Sequence, residues 1–386
     1  MIEPQIAADH CTGRRGRHRR GWLATRLAVA TILCGVACVL AWPAAAQTTV
    51  SRPFDGERIG AGEAAKITEI VALNLKPYKP KDGAAKRDQH PKHHGLVKAT
   101  FTVRDDIPAS LRSGVFASAK SFDAVIRYSN GRESDDTKPD AHGMAIKLMG
   151  VPGPKLQAGA ETSTTHDFIL VDSETFFLKD IDELIEFNSD VSSAKLSTFW
   201  GLYLLAKLKI WRRDLGNRVF AFAGKSIASP LAASYWSAVP YRLGTSAVKY
   251  MVRSPKAGGK DAGKPPASKD GLAAALKAEL AARSIELEFG AFVQTDPQRQ
   301  PIEDPTVSWQ ANGARYVALA TIKLHRQDVD AKSPAAEKIA FSPWNVGAQH
   351  QPLGAINRAR RAVYRAMSER RHRVNKVDPA RALALP

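Results

Sequence analysis

Residues 97–103 read Val97-Lys98-Ala99-Thr100-Phe101-Thr102-Val103, and this stretch decides the fold class. Apolar side chains at 97, 99, 101 and 103 alternate with Lys98, Thr100 and Thr102, the period of two of a strand with one face in a core. By the same reading, strands fall at residues 124–128, 142–148, 168–171, 241–252, 285–294 and 316–324. Helical patterns fall at 181–187 and 198–209, in an Ala-rich stretch at 271–282, and in a long basic helix over 353–373. Strands follow one another with few βαβ alternations, so the expected architecture is α+β: an antiparallel sheet or barrel with attached helices. No internal repeat is present, and residues 47–386 read as one domain. Within it, residues 47–85 form an N-terminal arm with a short helix, and the Lys-, Gly- and Pro-rich residues 254–269 form a flexible loop.

The chain has 386 residues, 44% hydrophobic and 24% charged, which excludes a disordered or fibrous protein. Its 56 Lys and Arg exceed its 38 Asp and Glu, a net charge of +18. Such an excess suits nucleic acid, an anionic membrane surface or an acidic cofactor without choosing among them. The three cysteines, Cys11, Cys34 and Cys38, all lie near the N-terminus. Thiolate catalysis and cysteine-based zinc sites are therefore excluded from the rest of the chain.

The N-terminus explains those cysteines. Arg14, Arg15, Arg17, Arg19 and Arg20 precede an apolar run over 27–42, followed by Pro43-Ala44-Ala45-Ala46-Gln47. This is the pattern of a secretory signal peptide cut near Ala46. The run falls short of the ~20 apolar residues of a spanning helix, so cleavage is preferred to a retained anchor. Removing residues 1–46 leaves 50 basic and 36 acidic residues, so the mature protein keeps the basic excess. The expected location is periplasmic or secreted.

Three groups of residues could carry chemistry. On the last helix, Ile356, Arg360, Tyr364, Met367 and Arg371 share one face. Two arginines on one face suit an anion, and a phenol one turn from Arg360 has its phenolate form favoured. The alternative is a solvated basic helix. The second group is His90, His93 and His94, readable as a metal clip or as a surface cluster; Pro91 prevents them from sharing a helical face. The third is Arg127-Tyr128-Ser129-Asn130 followed by Asp136, Thr137 and Gly143, where the plain alternative is a strand ending in a polar loop.

Together these pieces resemble the haem-dependent catalase superfamily, and more closely its short secreted catalase-related peroxidase branch. Arg87 and His90-Pro91-Lys92 are similar to the family's R-x-x-H-x-K, and Arg127-Tyr128-Ser129 to its R-F-S. Residues 136–148, from Asp136-Thr137 through His142-Gly143 to Lys147-Leu148, are similar to D-T-x-R-D-x-R-G-F-A-x-K-F. Residues 174–180, with Phe176-Phe177, match P-x-F-F-I-R-D, and Phe341-Ser342-Pro343-Trp344-Asn345-Val346 matches F-S-P-x-N-V. Arg360 and Tyr364 fit R-x-x-x-Y, with Arg371 seven residues further on. The six motifs run in the family's order over residues 87–371.

The resemblance implies a catalase-like antiparallel barrel binding haem b, with Tyr364 as the axial iron ligand and Arg360 beside it. It implies that Arg87, Arg127 and Arg371 bind the haem propionates, giving part of the basic excess an acidic partner. His90 becomes the acid–base group, moving a proton between the two oxygens of peroxide, worth on the order of 10²–10⁴-fold. Phe176 packs over the haem, or belongs to the ordinary core. The expected partners are hydrogen peroxide or an organic peroxide and an unspecified electron donor. Weak contact with an anionic membrane surface is compatible with the charge, and nucleic acid is not expected.

Two departures stand out. Where the family has N-N-T-P, this chain has Val171-Asp172-Ser173-Glu174, so the distal amide is missing. The family's run after the tyrosine is replaced by Ala366-Met367-Ser368. Haem binding is therefore expected more firmly than fast dismutation. Two other readings stay open: a haem enzyme converting organic or fatty acyl hydroperoxides, and a non-catalytic, haem-free basic binding protein.

Overall fold

Nine strands form one antiparallel sheet: β1 (His93–Val103), β2 (Ser121–Asn130), β3 (His142–Met149), β4 (Thr165–Val171), β5 (Tyr235–Trp236), β6 (Tyr241–Leu243), β7 (Ser246–Arg253), β8 (Ile285–Val293) and β9 (Arg315–Leu324). Their order is β5-β4-β3-β2-β1-β9-β8-β7-β6, and β5 also pairs with β7. That pairing closes eight strands into a ring, leaving β6 as the short hairpin partner of β7. The chain is thus α+β with an antiparallel barrel. This computed structural model describes residues 54–76, 85–193, 212–259 and 263–378.

The alternation in β1 is what the barrel uses. Val97, Ala99, Phe101 and Val103 are buried, while Lys98 and Thr102 are exposed. Phe101 meets Phe289 of β8 edge-on at 5.1 Å, and Phe168 of β4 lies 4.7 Å from Phe289. Each such side chain contributes roughly 1.5–3 kcal/mol by leaving water, so the closed ring is held from within.

Six α-helices occur among the described residues: α1 (Glu63–Leu75), α2 (Ile181–Ser193), α3 (Arg213–Ala223), α4 (Gly271–Ala282), α5 (Pro334–Lys338) and α6 (Ala355–Asn375). The long basic helix thus runs two residues later at each end than its sequence pattern indicates. The single strand expected over 241–252 is two strands. Gly244 adopts φ +62° between Leu243 and Ser246, which pair directly, so a two-residue hairpin turn interrupts it. Helix α3, strand β5 and the short α5 had no sequence counterpart. The expected helix at 198–209 and the N-terminal segment 1–46 lie outside the described residues. Among the described residues, 254–269 carries neither helix nor strand, and no helix is long and apolar enough to cross a membrane.

Helix α6 is placed by carboxylates from distant segments. Gly354 N–H donates to Glu57 at 2.9 Å, and Ala355 N–H donates to Glu303 at 2.8 Å, satisfying donors that open the helix. Arg358 bonds Glu57 at 2.8 Å and Glu63 at 2.6 Å, tying the chain ahead of α1 to the same turn. The approach to α6 is fixed as well. Lys147 and Asp167 form a fully buried ion pair at 2.6 Å, and the carboxylate also accepts the Ser342 N–H. Trp344 Nε1 then donates to the Asn357 carbonyl at 2.8 Å.

Candidate active site

His90 sits in the turn before β1 with φ +58°, a left-handed conformation that costs a non-glycine residue roughly 1 kcal/mol or more. The turn is held by its own backbone. His90 N–H donates to the Gly131 carbonyl at 2.8 Å, and Arg127 donates to the His90 carbonyl at 2.9 Å. The ring's Nδ1 lies 3.1 Å from the Ser129 hydroxyl, which assigns Nε2 to the cavity that His90 lines. Burial, aided by the Arg127 charge and opposed by Asp172, lowers its pKa to about 4. At neutral pH the imidazole is therefore an uncharged base.

That cavity has a volume of about 190 Å³ and opens to solvent. Strands β2 and β3 supply Arg127, Ser129 and Gly143, and α6 supplies Tyr364, Met367 and Arg371. Arg87 also lines it, so five of the seven residues expected from sequence converge on one space: His90, Arg87, Arg127, Tyr364 and Arg371. They come from three separated parts of the chain: the turn before β1, strand β2 and helix α6.

Arg360 stands behind Tyr364. Its Nη2 donates to the phenol oxygen at 3.3 Å, and its Nη1 donates to Asn357 Oδ1 at 2.9 Å. The guanidinium thus offers the phenol oxygen a fixed positive charge. Phe176 does not line the cavity. It packs against Phe177 at 4.7 Å and Phe222 at 5.7 Å, in an apolar cluster with Leu178 and Val171. That packing agrees with the second of its two readings, a residue of the ordinary core.

The cavity's basic residues suit an anion. Arg127 is buried, its pKa drawn down to about 10 by desolvation, and its Nε has no hydrogen-bond partner. A buried guanidinium with an unused donor facing a cavity fits a carboxylate ligand. Arg87 donates to the Ala336 and Ile339 carbonyls and to Glu337 at 3.4 Å. Arg371 reaches the same Ile339 carbonyl at 3.4 Å. Apolar walls from Met144, Ile169 and Phe341 complete a space suited to a flat, largely apolar cofactor with acidic groups on one edge. These residues fit haem.

The metal-clip reading of the three histidines does not survive. His90 turns to Ser129, His93 to Glu337 at 3.5 Å, and His94 to Asn130 at 2.9 Å. Among the described residues no three metal-ligating side chains gather. Sequence reasoning missed the pairing of His142 with Asp172, whose Nδ1 and Oδ2 are 2.7 Å apart. A His and an Asp thirty residues apart gave no signal before β3 and β4 were known to be neighbours.

No family model matches the sequence, and no curated protein matches it. Solved structures do. A fungal catalase is similar over 77% of this chain and 62% of its own, at 15% identity and a TM-score of 0.58. A bacterial catalase is similar over 82% of this chain and 61% of its own, at 13% identity and a TM-score of 0.56. Catalase A from Saccharomyces cerevisiae is similar over 86% and 71%, at 15% identity and a TM-score of 0.56. The chain spans about three fifths of the length of the first two. At such identities the likeness is one of architecture: the chain has a catalase-like fold.

Proposed function

We propose that this protein is a haem enzyme that decomposes peroxide, with hydrogen peroxide as its substrate. The observation that carries the reading is the convergence of His90, Tyr364 and three arginines on one cavity within a catalase-like fold. When bound, haem b supplies the redox chemistry at iron that peroxide cleavage needs. Tyr364 would hold the iron through its phenol oxygen, with Arg360 donating to that oxygen. Arg87, Arg127 and Arg371 would hold the propionates. His90 does the proton work: neutral at Nε2, it accepts a proton from one peroxide oxygen and returns it to the other, which leaves as water. Ser129 keeps the ring oriented while the charge moves.

The first test is an absorption spectrum of the purified protein after haem-replete expression. A Soret band with high-spin ferric features supports the proposal; no bound chromophore supports the haem-free binding protein instead. Conversion of organic hydroperoxides is a second reading, favoured by the apolar Val171 standing where the catalase motif has an asparagine. Comparing turnover of hydrogen peroxide with that of an alkyl hydroperoxide separates the two. Export rests on the N-terminal pattern, and sequencing the N-terminus of the mature protein tests it, with cleavage expected after Ala46.

A further inference from the structure

Two positions where the chain departs from the catalase motifs touch each other. His142 stands where the motif has the arginine of R-G-F-A, and Asp172 stands in the stretch that otherwise reads N-N-T-P. Asp172 Oδ2 lies 2.7 Å from His142 Nδ1, and Oδ1 accepts the His142 backbone N–H at 2.9 Å. The Asp172 N–H in turn donates to the His142 carbonyl at 2.9 Å. Both residues are buried. Desolvation would raise the carboxyl pKa, but the His142 imidazole and the Lys225 amine, 3.7 Å from Oδ1, hold it below the ordinary value. Asp172 is therefore a buried carboxylate committed to one strand end, not a donor to a ligand.

The residue after His142 is Gly143, whose Cα carries the His90 ring. A Cβ there would lie 2.6 Å from both His90 Nδ1 and Cε1, and 3.0 Å from the Ser129 hydroxyl. Gly143 pairs with Ser129 on one side and with Val171 on the other. The peptide from His142 to Gly143 is thus the floor of the His90 site, pinned on one side by the Asp172 side chain.

We infer that Asp172 and His142 form a positioning pair for His90, acting through the 142–143 peptide without touching the ligand. The inference rests on reading the cavity as a haem site. With the floor pinned, the imidazole keeps its reach to a ligand in the cavity; with it loosened, the ring retains its chemistry and loses its place.

Cyanide tests this without turnover, since hydrogen cyanide must give up its proton to a distal base as it binds ferric haem. The full chain is loaded with haem b, and cyanide association is followed by stopped flow. His90→Ala should slow association by about 10²-fold. Asp172→Asn should slow it roughly tenfold, with haem content and the Soret maximum unchanged. Added to His90→Ala, Asp172→Asn should slow it no further, because coupled residues do not act additively. A full additional loss on the His90→Ala background, or no loss in Asp172→Asn alone, overturns the inference. If Asp172→Asn does not fold, His142→Gln goes through the same cycle, and the same two results overturn the inference. A protein that takes up no haem overturns the cofactor reading and this inference with it. One that binds haem and shows additive losses overturns this inference alone.

Discussion

The His90 imidazole rests on the bare Cα of Gly143, so close that a single methyl group at 143 would stand 2.6 Å from its Nδ1 and Cε1. No real Cβ tolerates that separation. Gly143→Ala should therefore push the ring off its seat while leaving Tyr364 and the arginines in place. The expected result is retained haem, with peroxide consumption down by roughly 10²-fold, the cost of a misplacement of about 1 Å. Full activity in Gly143→Ala would show that His90 does not work from this position.

His90→Ala should keep haem and lose at least ~10²-fold in peroxide consumption, because the residue moves protons and does not hold the cofactor. His94→Ala should act differently. It removes the bond to Asn130 and should cost about 1 kcal/mol of stability, read by denaturant melting, with little change in rate. His93→Ala should likewise spare the rate. Equal rate losses from all three would point to a shared role that the structure does not support.

Stability should fall in mild acid. Burial lowers the pKa values of His90, His93, His94 and His372 to about 4, and that of His350 to about 3. Unfolded, each histidine titrates near ~6.5. Above that pH neither state holds the proton. Between there and about pH 4 the unfolded state takes it up and the folded state does not, so each histidine removes on the order of 1 kcal/mol per pH unit. Stability should therefore be full above pH ~6.5, decline steeply below it, and level off once the folded state itself protonates. A haem-free melting temperature independent of pH between 7 and 5 would contradict these burials.

Of the two positions where the distal amide is missing, 171 is the one expected to face a bound haem. Val171 pairs with Gly143 and shares its face of the sheet, whereas the Asp172 carboxylate is taken by His142. Val171→Asn should therefore raise oxygen release from hydrogen peroxide relative to oxidation of a small phenol, a positioned donor being worth a few kcal/mol. Asp172→Asn should not. An oxygen electrode run beside a phenol-oxidation assay decides it, and a gain from Asp172→Asn instead would reverse the assignment.

The sequence showed the barrel wherever one face of a strand is buried, as in Val97 to Val103, because burial imposes the period of two. It hid the break in 241–252, since Tyr241, Leu243, Val248 and Val252 read as strand on both sides of Gly244 and only the paired register exposes the turn. The site was legible where a residue type is chemically unusual for its place, as with Arg360 and Tyr364 on one helical face. It was not legible where a common residue acts through a neighbour distant in sequence. Phe176 fitted its motif yet packs with Phe222 of α3, a helix whose sequence gave no warning. Asp172 read as a lost amide until its partner His142 came into view.

If Tyr364 and His90 face one haem, removing the phenol oxygen should remove the haem's hold on the protein. The spectrum and haem content of Tyr364→Phe are compared with those of the unsubstituted protein, both expressed with excess haem. A sharp loss of bound haem is expected, or a spectrum moved away from phenolate ligation, while the far-ultraviolet circular dichroism stays that of the folded chain. An unchanged Soret band and full haem content in Tyr364→Phe would rule out the tyrosine as the iron ligand, and with it the shared site.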